Sequence, residues 1–250
     1  MNSQWPNLSV PPVILAIFQI KYQKEEVKLN DFLEYDAILK REYPNRMDNY
    51  HSNIDIPKTF IPGISTVTGK ADTKINSYTY FSKDQKQKLI IEEGAITYTD
   101  ENKYTGWENF KQKSLESIEM FHEIFNQSTI TRISIRFINR FSLENLSDPL
   151  EYFTTTISST NSDGLPYPLV EYAFKLRTVI PNTNIYSYIN QTTVPVNENQ
   201  MDYIFDIDVL ELTNLLFDKG LISEKLEKLR EVKNDLFFNN LTQKTIDLCN

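Results

Sequence analysis

Apolar and polar residues alternate along residues 132 to 141, which read RISIRFINRF. Ile133, Ile135 and Phe137 share one parity of this stretch, and arginines occupy the other. Because successive side chains of a strand point to opposite faces, the pattern predicts a strand with one buried and one polar face. The arginines are Arg132, Arg136 and Arg140, three of the seven in the chain. Their regular placement poses the question of why an acidic protein lines one strand with arginines.

The same kind of pattern predicts further strands. The apolar run at residues 11 to 23 predicts a central strand that is covered on both faces. Three short antiparallel strands are expected between about residues 76 and 99, with a turn at Gly94. After a linker, three more strands are predicted at residues 168–180, 184–196 and 201–212.

Helical spacing of apolar residues predicts three helices. The first covers residues 28 to 43, and the second begins with Thr105 three residues before Glu108, which is typical of a capping box. A long C-terminal helix is expected to begin near Ser223. Residues 45 to 74 are polar and are interpreted as a long irregular segment.

Together these elements predict an α+β fold with antiparallel-rich sheets and long amphipathic helices. An N-terminal half, residues 1–150, holds a strand, a helix, the three-strand meander, a second helix and the arginine strand. A C-terminal half, residues 151–250, holds three strands and the long helix. Strands followed by a long helix occur in both halves, which fits either an internal duplication or the ordinary order of elements in this fold class. We expect one compact unit.

Composition narrows the range of possible functions. The net charge of −8 argues against general nucleic-acid binding. The six glycines form neither a dinucleotide-binding nor a P-loop signature. One cysteine, Cys249, fits a reducing cytoplasm, and the apolar run near the N-terminus is too short for a signal peptide or a membrane span. A soluble cytoplasmic protein without a cofactor is therefore expected.

Four short stretches occur in an order and at separations that resemble those of a known group of proteins. They are PPVILAIFQIKY, YTGWENF, RISIRFINRF and FDIDV. The chain resembles a sporadically distributed family of uncharacterised bacterial proteins of about this length. The resemblance implies a bacterial setting and mobile gene neighbourhoods, such as toxin–antitoxin or phage-defence loci. It implies no activity and no catalytic residue.

The arginine row has three interpretations. Asp206 and Asp208 share a parity in the stretch FDIDV, so Arg136 and Arg140 can pair with them if the two strands are neighbours. Alternatively, the row binds an anionic ligand or an acidic segment, or it is a solvated surface. Asn139 falls on the apolar parity, where a buried amide needs a hydrogen-bond partner or faces a ligand.

Tyrosines form a second group of candidates. Tyr78 and Tyr80 share one face of a predicted strand, and Tyr186 and Tyr188 share a face of another. Such rows pair within a sheet, or they form a contact surface for a peptide or protein, since the ring buries area while the hydroxyl stays hydrated. No metal site is predicted, because Asp206 and Asp208 lack a nearby third ligand. No catalytic residue is predicted either, because two histidines and one terminal cysteine assemble no evident triad.

Three hypotheses of function follow. The first is a non-catalytic protein-binding component, an antitoxin, adaptor or chaperone-like member of a toxin–antitoxin or phage-defence locus, with a partner encoded nearby. The second is an enzyme or sensor of a small anionic ligand that lies between the two halves and contacts Arg132 or Arg136 together with Asn139. The third is RNA binding through the arginine face, which requires that face to be exposed and flanked by aromatic residues.

Overall fold

The computed structural model describes residues 5–23, 27–54, 71–125, 128–143, 149–156, 171–197 and 200–250. Within these ranges nine strands form one antiparallel sheet. The strands are β1 (Val13–Gln23), β2 (Asn45–Ile54), β3 (Ala71–Phe81), β4 (Gln87–Glu92), β5 (Ala95–Asp100), β6 (Thr129–Leu143), β7 (Ala173–Val179), β8 (Ile185–Asn197) and β9 (Gln200–Leu216).

Helices complete the fold. The described residues contain five α-helices, α1 (Asp36–Glu42), α2 (Trp107–Glu119), α3 (His122–Phe125), α4 (Lys219–Asn240) and α5 (Gln243–Asp247). Two short 3-10 helices cover Leu29–Tyr35 and Pro149–Glu151. The predicted α+β class with antiparallel strands is confirmed, whereas the internal duplication stays a prediction.

The order of the strands is β2-β3-β4-β5-β1-β6-β9-β8-β7. The arginine strand β6 therefore lies between β1 and β9, the strand that carries FDIDV. Because β1 and β6 come from the predicted N-terminal half and β9 from the C-terminal half, one sheet runs through both halves. The proposed division near residue 150 itself stays a prediction.

One face of the sheet holds the hydrophobic core. Phe18 of β1, Ile135 of β6 and Phe205 of β9 are fully or almost fully buried on this face. Helix α4 packs against β6 and β9, and α2 packs against β5 and α4. The opposite face, which we call the polar face, carries the other parity of each strand, including the arginines of β6.

Two predictions about the strands are wrong. β1 is buried on one face only, because Leu15 and Ile17 lie half-buried on the polar face beside β6. The segment 45–74 is not irregular where it is described, since β2 pairs along its whole length with β3. The stretch from 55 to 70 lies outside the described residues.

Candidate functional site

The arginine row lies on the polar face and is mostly bonded to other side chains. Arg136 donates from Nε and Nη2 to the two carboxylate oxygens of Asp206, at 2.8 and 2.7 Å. Asn190 of β8 donates to the same carboxylate at 2.8 Å. The hydrogen bond to Asp206 stabilises the charged form of Arg136 and is the main reason that its pKa is raised.

The second pair differs from the expected one. Arg140 pairs at 2.5 Å with Asp202, rather than with Asp206 or Asp208. Asp208 lies directly opposite Arg136 in the sheet, yet it forms no hydrogen bond or ion pair with the described residues. Burial raises the pKa of Asp208 although Arg132 and Arg136 act in the opposite direction. The parity of the sequence could have identified Asp202, which shares it with the other two aspartates.

Arg132 is the least satisfied of the three arginines. Its Nη2 donates to the Gln19 side chain of β1, and its buried Nε has no hydrogen-bond partner. Each guanidinium group of the row is thus bonded to a side chain of a neighbouring strand. The Arg136 and Arg140 side chains are nevertheless 42% and 49% exposed, and RNA binding through the arginine face stays a prediction.

The two tyrosine pairs lie on opposite faces of the sheet. Tyr186 and Tyr188 lie half-buried on the polar face, where Arg177 of β7 is 5.1 and 5.6 Å from their ring centroids. The neighbouring Lys175 amine lies 5.2 Å from the Tyr188 ring. These contacts are cation–π interactions and leave part of each ring accessible.

Tyr78 and Tyr80 lie on the core face, and the prediction that they line a contact surface is wrong. Both are buried, at 1% and 0% exposed. Their hydroxyls donate to Asn30, at 2.7 Å, and to Asp36, at 3.0 Å. The 3-10 helix and α1 thus satisfy these hydroxyls over β3, so no partner protein can reach the rings.

Asn139 is the predicted site residue that the structure places at a cavity. It is 2% exposed, and its amide nitrogen donates to the backbone carbonyl of Phe205 at 2.9 Å. The same amide nitrogen lies 3.4 Å from the backbone carbonyl of Phe137, and no described residue donates a hydrogen bond to the amide oxygen Oδ1. Asn139 therefore lines the cavity with its amide nitrogen bonded to the backbone of β9.

We call the space beside Asn139 the α4 cavity. It has a volume of about 720 Å³ and lies between α4, β6, the N-terminal segment 5–13 and the loop 103–107. Much of its wall is aromatic or apolar. The residues that form this wall include Trp5, Leu8, Tyr104, Trp107, Phe237 and Phe238.

Two cations of α4 face this cavity. Arg230 and Lys233 are three residues apart, so they lie on one face of the helix. The Arg230 guanidinium lies 5.4 Å from the Trp107 ring centroid, and its Nη1 is 3.3 Å from Glu227. Lys103 adds a third positive charge, and none of the described residues that line the cavity is acidic.

Lys233 is the unusual member of the site. Its amine lies 4.4 Å from the ring centroid of Phe137, and it forms no hydrogen bond or ion pair with the described residues. Burial, assisted by the charge of Arg230, lowers the pKa of Lys233 to about 7. This amine therefore loses its proton more easily than an ordinary lysine, and the half-buried side chain lines the cavity.

The sequence reasoning missed both cations, although α4 contains a signal. Buried apolar residues recur along it at Ile222, Leu226, Leu229 and Phe237. Position 233 completes this stripe at helical spacing, four residues from each of its neighbours, and a lysine occupies it. A charged residue inside such a stripe indicates a functional site or an ion pair, and Lys233 forms no ion pair with the described residues.

The expected combination of Asn139 with Arg132 or Arg136 at one ligand is wrong. Residue 139 has the opposite parity on β6, so Asn139 faces the α4 cavity while both arginines lie on the polar face. The sheet separates them. Asn139 instead shares its surroundings with Arg230 and Lys233.

Comparisons with other proteins give no assignment. No protein family, curated protein or solved structure matches the chain. The resemblance to a sporadic bacterial family therefore stays a prediction. Among the described residues, no helix is long and apolar enough to cross a membrane, and no group of three metal-binding side chains could hold an ion.

Proposed function

We propose that the protein binds a small organic anion with an aromatic or apolar body in the α4 cavity, as an enzyme or a sensor of that ligand. The observation that carries this proposal is the pair of cations, Arg230 and Lys233, on one face of α4 in a cavity whose described lining residues include no carboxylate. The site lies between α4 of the C-terminal half and elements of the N-terminal half.

Charge balance supports an anionic ligand. A desolvated cation without a partner destabilises a fold, and Lys233 has none among the described residues. An anion in the cavity would supply the missing partner and would be attracted by Lys103 and Arg230 as well. The net charge of the whole chain is −8, whereas the cavity is locally positive. The cavity should therefore attract anions.

The walls support an aromatic or apolar body. Trp5 stacks on Phe238 with ring centroids 5.4 Å apart, and Trp107 lies beside Arg230. Planar walls of this kind bury the surface of a flat ligand without much loss of side-chain freedom. Asn139 of the lining adds an amide oxygen that can accept a hydrogen bond from a hydroxyl or amine of the ligand.

Intrinsic fluorescence tests the proposal directly, because both tryptophans of the chain line the cavity. We expect phenylacetate to change this fluorescence in a saturable way, whereas its neutral analogue phenylacetamide binds at least about tenfold more weakly. Arg230→Met should weaken phenylacetate binding by a similar factor. Its matched control is Arg177→Met, which removes a cation over an aromatic ring on the polar face.

Equal responses to phenylacetate and phenylacetamide would contradict the proposal. The same conclusion would follow if Arg177→Met weakened binding as much as Arg230→Met. Circular dichroism of both variants checks that each retains the fold.

A second candidate function is docking of a protein partner, as the first sequence hypothesis expects of an antitoxin, adaptor or chaperone-like component. The observation that favours it is β7, an edge strand with Leu176 and Val179 exposed at 36% and 54%. An exposed edge can accept an extended segment of another chain through backbone hydrogen bonds. The single cysteine fits a cytosolic setting for such a role.

Co-purification tests this candidate. The tagged chain is expressed together with the products of its neighbouring genes, and we expect one of them to elute stoichiometrically. A Leu176→Lys, Val179→Lys double variant should lose that partner, whereas Leu221→Lys, at an exposed position of α4, should retain it. Retention of the partner by the β7 variant would exclude this edge as the docking site.

A further inference from the structure

Lys233 has three features of a nucleophilic lysine. Its amine lies over the ring of Phe137, away from any carboxylate of the described residues. It lines a cavity large enough for a small molecule. Arg230, one turn earlier on α4, supplies a fixed positive charge beside it. Desolvation and a neighbouring cation are the two means by which proteins activate a lysine amine.

We propose that Lys233 forms an imine with the carbonyl carbon of an aryl-substituted 2-oxo acid bound in the α4 cavity. This inference rests on the proposed function and narrows its ligand class. The carboxylate of such a ligand meets the Arg230 guanidinium, while its adjacent carbonyl carbon meets Lys233. The aryl group then lies against the aromatic wall that includes Trp107 and Phe237.

The covalent step is balanced without a further reactant. The lone pair of the neutral Lys233 amine adds to the carbonyl carbon, and the carbonyl oxygen gains a proton to give a carbinolamine. Loss of one water, made of that oxygen and two protons, leaves the carbon–nitrogen double bond. No oxidation or reduction occurs, and the imine returns to amine and 2-oxo acid when water adds to it.

The surroundings of Lys233 favour this step. On α4 its charged neighbour is Arg230, and the loop 103–107 contributes Lys103 and Tyr104. Segment 5–13 and Asn139 of β6 contribute no titratable side chain to the lining. Burial raises the pKa of Tyr104, so its hydroxyl stays protonated and can donate to the carbonyl oxygen. The neutral amine at Lys233 is present near neutral pH, since its pKa is lowered to about 7.

Borohydride trapping tests the proposal with 2-oxo-4-phenylbutanoate as the probe. Reduction of the imine should fix the ligand to the protein, with a mass gain of one probe minus one oxygen atom. Peptide mapping should place this adduct on Lys233. Lys233→Arg, which keeps the positive charge, should lose the adduct completely, whereas Lys228→Met, at an exposed lysine of α4 outside the lining, should retain it.

An adduct spread over surface lysines, or one that persists in Lys233→Arg, would overturn the imine. Phenylacetate, which has no ketone, separates this inference from the proposed function. If phenylacetate binds and the oxo acid leaves no adduct on Lys233, the cavity binds anions but Lys233 is not a nucleophile. If neither probe interacts with the cavity, both proposals fail.

Discussion

Arg136→Met is expected to lower the free energy of unfolding by about 2 kcal/mol at neutral pH, less than for a fully buried pair because the arginine side chain is 42% exposed. Methionine preserves most of the aliphatic stem of the arginine but removes both charged hydrogen bonds to Asp206. Asp206 is only 5% exposed and would keep Asn190 as its single neutral partner. A buried carboxylate without a cation is costly, so the loss should exceed that for a surface pair. Urea unfolding followed by circular dichroism measures it.

Two further variants define the cause. Replacing both partners, Arg136→Met with Asp206→Leu, should recover part of the loss, because position 206 no longer holds an unpaired charge. Lys219→Met removes one partner of the exposed pair with Glu119 and should change stability by less than about 0.5 kcal/mol. A double variant that is no more stable than Arg136→Met alone would show that the charge on Asp206 is not what the arginine balances.

This result would answer the question that the arginine strand raises. The row balances carboxylates that β9 presents on the same face, and two of its three members pair with Asp206 and Asp202. Sequence parity was sufficient to predict that arginines and aspartates share a face. It could not fix the register, because the pairing of strands that are far apart in sequence depends on the whole sheet.

The strands were predictable because their alternation is local. The prediction for 45–74 failed because β2 is polar and has an exposed side, so it carries no apolar alternation. β2 becomes a strand through its pairing with β3, which is a tertiary effect. Burial of Tyr78 and Tyr80 has the same origin, since a tyrosine row looks alike whether or not a helix covers it.

Helix ends depend on backbone geometry that residue types only partly indicate. The expected capping box at Thr105 does not form, because α2 begins after Gly106, whose φ of 118° suits glycine. The expected cap at Ser223 lies inside α4. Asp218 caps that helix instead and accepts a hydrogen bond from the backbone N–H of Leu221 at 2.9 Å.

The α4 cavity could not be predicted as a site, because its parts come from four separate regions of the chain. Only the lysine in the apolar stripe of α4 signals it from sequence. The cavity nevertheless affects stability without a ligand. Because the Lys233 amine has a lowered pKa in the folded protein, the free energy of unfolding depends on pH.

Lys233→Met is expected to stabilise the protein, and more strongly in mild acid than in mild base. Below pH 7 the folded protein must hold a charged amine in a desolvated cavity, and methionine removes this cost while it preserves contact with Phe137. The gain should be on the order of 3 kcal/mol at about pH 6. Thermal or urea unfolding of both proteins at several pH values measures it.

The sign of the pH dependence follows from the lowered pKa. Between about pH 7 and the usual lysine range the unfolded chain binds a proton at Lys233 that the folded chain has released, so the wild type gains stability as pH rises. The advantage of Lys233→Met should therefore shrink by about 1.4 kcal/mol per pH unit above 7. All other titrating groups are common to both proteins and cancel in the difference. An advantage that stays constant from pH 6 to pH 9 would mean that the amine remains charged, and Lys233 would then serve the cavity only as a fixed cation.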